Sequence, residues 1–167
     1  MPGIETSQLK HQIIIPTLEH LGLHSESATN LLLGTALVES DGGYYIKQIV
    51  GPALSLYQIE PNTHNDQWDN HLAYFKNRKL RNKVLDLVAP WGFKNINKSG
   101  IVNLRGNLFY STAICRIIYL RVPYELPDPQ DEQGMGEYWK QHFNTAGGKG
   151  DIEKFINLYR ERVKCLK

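Results

Sequence analysis

Cysteine is nearly absent from this chain. Cys115 and Cys165 are the only two, and no Cys-x-x-Cys pair occurs. A zinc knuckle and a dithiol redox motif are therefore excluded, and both residues are expected as reduced thiols, Cys115 in a core helix and Cys165 in the last turn. Long apolar runs are also missing: none approaches the roughly 20 residues that span a bilayer. The start, MPGIETSQLKHQIIIPTLEHLG, lacks a basic opening, an extended apolar stretch and a small-residue cleavage site. Neither a transmembrane segment nor a secretory leader is expected. An excess of one charge is absent too, with 19 basic against 17 acidic residues and a net charge of +2. Nucleic-acid binding needs a clustered basic surplus, so it is not expected. A mildly basic surface still suits an anionic polymer such as a cell wall.

What is present is an ordinary globular composition, 41% hydrophobic, 22% charged and 10% aromatic over 167 residues. That length fits one domain, able to bury about two thirds of its unfolded surface without staples. Helical periodicity dominates. A first helical segment is read at residues 6–22, bent or split by Pro16. A second runs from about 26 to 41, capped by Ser25 or Ser27 and stopped by Gly42 and Gly43. The section YYIKQIVGPALSLYQIEP, rich in β-branched and aromatic residues, reads as irregular or weakly stranded. Pro61 opens a polar helix, and a further segment covers about 78–88. After the loop APWGFKNINKSG, residues 102–121 read as one long core helix. Two last helices, about 134–143 and 150–165, flank HFNTAGGKGD. The fold class is therefore mainly α, a single helical domain with a small irregular or weakly β segment after the second helix.

Glu39 is the residue with the clearest chemical character. It continues the apolar stripe of Ala28, Leu31, Leu32, Thr35 and Ala36, so packing strips water from its carboxyl and raises its pKa. It also sits in the last helical turn, where backbone carbonyls disfavour an anion. Both effects favour an acid still protonated near neutrality, although helix-end glutamates are more often solvated. In GPALSLYQIEP, Gln58 offers an amide and Tyr57 an aromatic face to a sugar; a buried loop with one satisfied glutamine is the plainer reading. In YWKQHFNTAGGKGDIEKFI, Asn144 precedes Gly147, Gly148 and Gly150, and Asp151 caps the next helix.

These three pieces, in this order, resemble the lysozyme-like domain of soluble lytic transglycosylases and goose-type lysozymes, over roughly residues 26 to 160. There a catalytic Glu-Ser ends a helix, matched here by Glu39-Ser40. A loop of the type G-x-x-G-L-M-Q-I-x-P follows, matched by GPALSLYQIEP. A long helix, matched from Asn103 to Tyr119-Leu120, precedes a Y-N-x-G-x-G turn, matched by HFNTAGGKG. Three residues depart from the pattern. Ser55 replaces a glycine, Tyr57 a methionine, and Phe143 a tyrosine whose hydroxyl lies near the acid. The lack of a leader and the phrase YWKQHFNTAGGKG look like phage members of the group.

The resemblance implies a peptidoglycan lytic transglycosylase acting without metal or cofactor. Glu39 is its single acid/base at the MurNAc–GlcNAc β-1,4 bond, and the products carry 1,6-anhydroMurNAc ends. The residues expected at the sugar are Tyr57, Gln58, Phe143 and Asn144, with Ser40 and Tyr45 as further candidates. The expected partners are glycan strands and other phage virion or tail proteins, with the protein carried in a virion and acting on the host cell wall. Two alternatives stand beside this. One is a non-enzymatic virion protein on the same scaffold. The other is a hydrolytic lysozyme, which needs a second carboxylate; Asp41, Glu60 and Asp66 are nearest in sequence. Trp68, Trp91 and Trp139 read as core or rim residues before sugar stackers. His20 and His24 lack a third metal ligand, and KNRKLRNK reads as a solvated helix face.

Overall fold

A computed structural model describes residues 3–88, 96–144 and 150–166, with side chains of 96–99 left aside. Trp91, Gly147 and Gly148 lie outside the described residues. Within them the chain is mainly helical, as its periodicity implies. Helix α1 (Thr6–Gln8) passes through a π-helical stretch, Leu9–Ile14, into α2 (Ile15–Leu21). Pro16, expected to bend or split this segment, falls in the first turn of α2, where the helix changes from π to α without a loop between them. A proline in a helix lacks an N–H and crowds the carbonyl four residues back. The wider turn just upstream, where the Ile15 N–H reaches the Lys10 carbonyl, lets the chain run on. Gly22, at φ 73°, ends α2.

Helix α3 (Glu26–Ser40) follows, with the Ser25 hydroxyl accepting the Ala28 N–H at 3.1 Å. The next elements are α4 (Pro61–Gln67), running on as the π turn Trp68–Leu72, a short turn at Phe75–Asn77, and α5 (Arg78–Asp86). Then come α6 (Ile96–Gly106) and α7 (Leu108–Leu120). The single helix expected over 102–121 is thus two. Asn107 separates them, its side chain accepting the Tyr110 N–H at 3.0 Å and donating to the Leu87 carbonyl at 2.7 Å. An N-cap of this kind starts a new helix where Gly106 has weakened the old one. Residues 96–100, expected in a loop, are the first turns of α6. Helix α8 (Glu132–Trp139) runs on as the π turn Lys140–Asn144, and α9 (Ile152–Leu158) as the π turn Tyr159–Val163. The segment between α3 and α4 forms no described strand, only isolated antiparallel bridges pairing Lys47 with Leu54 and Leu54 with Ile59. No described helix is long and apolar enough to cross a membrane.

The helices enclose one contiguous apolar cluster, and α3 runs through it. Twelve of the fifteen α3 residues are buried, so the expected one-sided stripe is instead a helix covered on nearly every side. α7, α8 and α9 pack against it, together with the first π stretch. Several polar groups inside the cluster find partners, while Thr29 Oγ1, Asn30 Oδ1 and Arg116 Nη1 are buried without one among the described residues. Tyr110 Oη accepts from Trp68 Nε1 at 2.8 Å and lies 2.7 Å from His64 Nε2. Cys115 is a buried free thiol, and Cys165 an exposed one. His20 Nε2 meets the Lys83 carbonyl at 2.8 Å.

Close approach of α9 to α3 needs the missing side chain of Gly34, where a Cβ would lie 2.7 Å from Phe155 Cζ. Helix propensity alone favours alanine at that position by roughly 1 kcal/mol. Overpacking of a filled core costs about 1–3 kcal/mol. Gly34→Ala is therefore expected to destabilise the fold by a net ~0–2 kcal/mol in chemical denaturation, and a stabilised variant would contradict this packing.

Candidate active site

The chemistry of the site begins with a helix that must end inside the protein. Asp41, Gly42 and Gly43 take φ of 52°, 68° and 90°, turning the chain sharply out of α3. The Gly42 N–H returns to the Ala36 carbonyl and the Asp41 N–H to Leu37, each at 2.9 Å. Such returning bonds satisfy carbonyls that the helix leaves open. Asp41 is held by Arg162 Nη1 at 2.6 Å. Arg162 also reaches the Thr6 hydroxyl at 3.1 Å, so α1 and the π turn Tyr159–Val163 meet at this helix terminus.

Ser40 is buried here and binds no open surface. Its hydroxyl donates to the Leu56 carbonyl at 2.6 Å and accepts the Gly43 N–H at 2.8 Å. It thus ties α3 to the loop that follows. That loop turns through Ser55 and Gln58, at φ 71° and 49°, a region that costs an L-residue about 1 kcal/mol. Ser55 takes this left-handed geometry as a non-glycine residue, and its hydroxyl accepts the Tyr57 N–H at 3.2 Å. The strained turn aims Gln58 outward, with Nε2 donating to the Ser55 carbonyl at 2.8 Å and to the Tyr45 carbonyl at 3.4 Å. Its Oε1 has no partner among the described residues.

Glu39 lies in the wall of an open groove of about 760 Å³ that Gln58, Phe143 and Asn144 also line. Loss of water raises its pKa from the ordinary 4.5 to about 7. Opposing this, Trp139 Nε1 donates to Oε1 at 3.0 Å. The Asn144 side chain also bonds the carboxylate, and the Lys154 and Lys140 ammonium groups stabilise its charge. The helix-end field expected to assist protonation is blunted, because Lys154 Nζ sits 3.3 Å from the Val38 carbonyl. Asn144 is fixed as a donor: its Oδ1 accepts from Lys140 Nζ at 2.9 Å and from the Gly150 N–H at 3.1 Å. Its Nδ2 therefore faces Glu39. Phe143 stacks on Tyr119 at 5.4 Å, and Tyr119 Oη lies 2.7 Å from the Thr35 hydroxyl.

Glu39, Gln58, Phe143 and Asn144 thus come together, and the other expected sugar contacts do not. Tyr57 is fully buried, its hydroxyl 3.1 Å from Thr112 Oγ1, because the Ser55 turn points it inward. Tyr45 is exposed on the loop, edge-on to Tyr44, outside the groove lining. Among the candidate second carboxylates, Asp66 pairs with Arg121 and Asp41 with Arg162. Glu60 alone of the three lines the groove. Trp68 is internal, and Asp151 caps α9 by accepting the Glu153 N–H at 2.9 Å.

Trp139, read from sequence as a core or rim residue, is the direct donor to Glu39. No hydroxyl at position 143 is needed for that contact, because the indole supplies it. The signal lay in the spacing Trp139-x-x-x-x-Asn144. Five residues is the hydrogen-bond spacing of a π turn, and a search tuned to the α-helical 3.6 period passes over it. Comparison of the chain with family profiles, curated proteins and solved structures finds no match.

The carboxyl also makes stability depend on pH. Below 4.5 the folded and unfolded chains both hold the proton; above about 7 both have lost it, the folded chain at a penalty. Between these limits wild-type stability falls by up to about 3 kcal/mol. Glu39→Gln has no such loss, so its denaturation midpoint is expected to exceed that of the wild type at about pH 8 and to converge with it at about pH 4. Parallel curves at both values would place Glu39 in water.

Proposed function

We propose that the groove binds a glycan strand of peptidoglycan and that Glu39 cleaves its MurNAc–GlcNAc β-1,4 bond as the single acid/base of a lytic transglycosylase. The carrying observation is a carboxyl held at about 7 in the wall of an open groove, with amide groups beside it. An acid that must give and then retake a proton works best with its pKa near the working pH. The lysozyme-like resemblance of Glu39-Ser40, GPALSLYQIEP and HFNTAGGKG points the same way.

Trp139 occupies Oε1, which leaves the transferable proton to Oε2. That proton passes to the glycosidic oxygen as the bond from MurNAc C1 breaks, and the GlcNAc hydroxyl departs. The substrate's own N-acetyl oxygen supports the cationic C1, so no second carboxylate is required. Glu39 is then an anion, held by the Trp139 and Asn144 N–H groups. It takes the proton of the C6 hydroxyl as O6 bonds to C1, which closes the 1,6-anhydro ring and restores the acid. No water is consumed. Gln58 Oε1 is placed to accept from a sugar hydroxyl or amide, and Phe143 forms an apolar wall. In keeping with the phage-like phrase around Asn144, we assign the cleavage to penetration or lysis of a host cell wall by a virion-borne or lysis protein with one lysozyme-like domain over 1–167.

One observation favours hydrolysis as a second reading. Glu60 is an exposed carboxylate lining the same groove. If it activates water, the products carry reducing ends and Glu60→Gln stops the reaction.

Purified peptidoglycan digested by the protein and analysed by mass is expected to give anhydro-muropeptides. Glu39→Gln is expected to lower the rate by about 10²–10⁴-fold or more while keeping the fold. Activity of Glu39→Gln at the wild-type level would remove Glu39 from the mechanism. Activity is also expected to decline above about pH 7, as the acid form is lost. Trp139→Phe removes a bond that favours the anion, so this decline is expected at higher pH; an unmoved or lowered limb would show that the indole does not tune the acid.

A further inference from the structure

The groove does not end at Asn144. A second hollow of about 350 Å³ opens beside it, lined by Gln67, Ile118, Arg121, Val122, Pro123 and His142. Ile118 and His142 line both spaces, so the two are continuous across that pair. The character of the lining changes along the way. Where the groove carries Glu39 and amides, the hollow has an apolar floor and one guanidinium.

Arg121 is only partly committed. Its Nη1 meets the Asp66 carboxylate and accepts no further role beyond Gln67 Oε1 at 3.0 Å and a long contact to the Asp66 carbonyl. Nε and Nη2 have no partner among the described residues. Gln67 is oriented by its own Nε2, which donates to the Thr63 carbonyl at 3.0 Å, so its oxygen must face Arg121. Asp66 is held in turn by Asn70 Nδ2 at 2.7 Å. The guanidinium is therefore fixed along one edge while its side chain stays 29% exposed. Burial pushes His142 below the ordinary imidazole value, which adds no competing cation.

A planar guanidinium with free donors beside an apolar floor is suited to a carboxylate attached to a small aliphatic group. We propose that this hollow is a subsite for a carboxylate substituent of the bound strand, with Arg121 as its contact. This rests on the reading of the groove as a glycan site. Two sources offer the same chemistry. One is the lactyl carboxylate of a peptide-free MurNAc, and the other is a carboxylate of the stem peptide.

The test uses the full chain carrying Glu39→Gln, so that ligands survive, and measures affinity calorimetrically for three tetrasaccharides. One is built of GlcNAc alone, one of GlcNAc–MurNAc without peptide, and one of GlcNAc–MurNAc bearing stem peptides. At least one carboxylate form is expected to bind about tenfold tighter than the GlcNAc form. Which of the two does so identifies the source. Adding Arg121→Gln is expected to bring that preference close to unity. Arg121→Lys keeps the charge facing Asp66 but loses the fork, and is expected to retain only part of the preference. Binding without any carboxylate preference overturns the subsite and leaves the glycan groove standing. So does a preference that survives Arg121→Gln undiminished, or an equal loss for all three ligands. Failure to bind any of the three saccharides overturns the subsite and the glycan reading together.

Discussion

A helix that stops inside a protein must find partners for its last carbonyls away from water, and the end of α3 is built around that need. Ala36, Leu37 and Ser40 carbonyls are met by the N–H groups of Gly42, Asp41 and Tyr44, each at 2.9 Å. Val38 is met by Lys154 from α9. Each of these bonds recruits another part of the chain. The tight left-handed exit brings Asp41 to Arg162, the Ser40 hydroxyl captures the loop at Leu56, and Lys154 carries the C-terminal helix to the groove. The backbone under Glu39 is held in a fixed place by the groups that satisfy its last carbonyls, and Trp139 then holds the carboxyl itself.

The electrostatics of the acid follow from the same arrangement. Desolvation is the largest influence and protects the proton, while one indole N–H, one amide N–H and two ammonium groups favour its loss. Neither side wins outright, and the balance falls near neutrality. A carboxyl so balanced changes state with little free energy, which suits a group that donates and then accepts. The stability given up by ionising a half-buried acid is the counterpart of that readiness.

Much of the fold was legible because its signals are local. The Ser25 cap, the Gly42-Gly43 stop, the Pro61 start and the Asp151 cap are side-chain or backbone preferences that act within a turn. Signals that need a partner were read only in part. Pro16 implies a bend or split, yet a π stretch upstream carries the helix on without a loop, and Gly106-Asn107 marks a helix boundary only through the bond from Asn107 to Leu87. At the site, the apolar setting of Glu39 could be read from its neighbours in α3. Tyr57 and Ser40 could not be told from groove residues, since their inward aim depends on the positive φ at Ser55 and on the Leu56 carbonyl. Trp139 was hidden by periodicity, and Lys154 by more than a hundred intervening residues.

The most direct measurement follows the Glu39 carboxyl itself. Side-chain carbon NMR of selectively labelled protein, titrated from about pH 3 to 9, reports its protonation without any substrate. Half-protonation close to 7, removed in Glu39→Gln, is the outcome that agrees with a desolvated acid held by Trp139 and Asn144. A midpoint near 4.5 would show an ordinary solvated glutamate and would contradict the acid/base role from which the proposed activity is built.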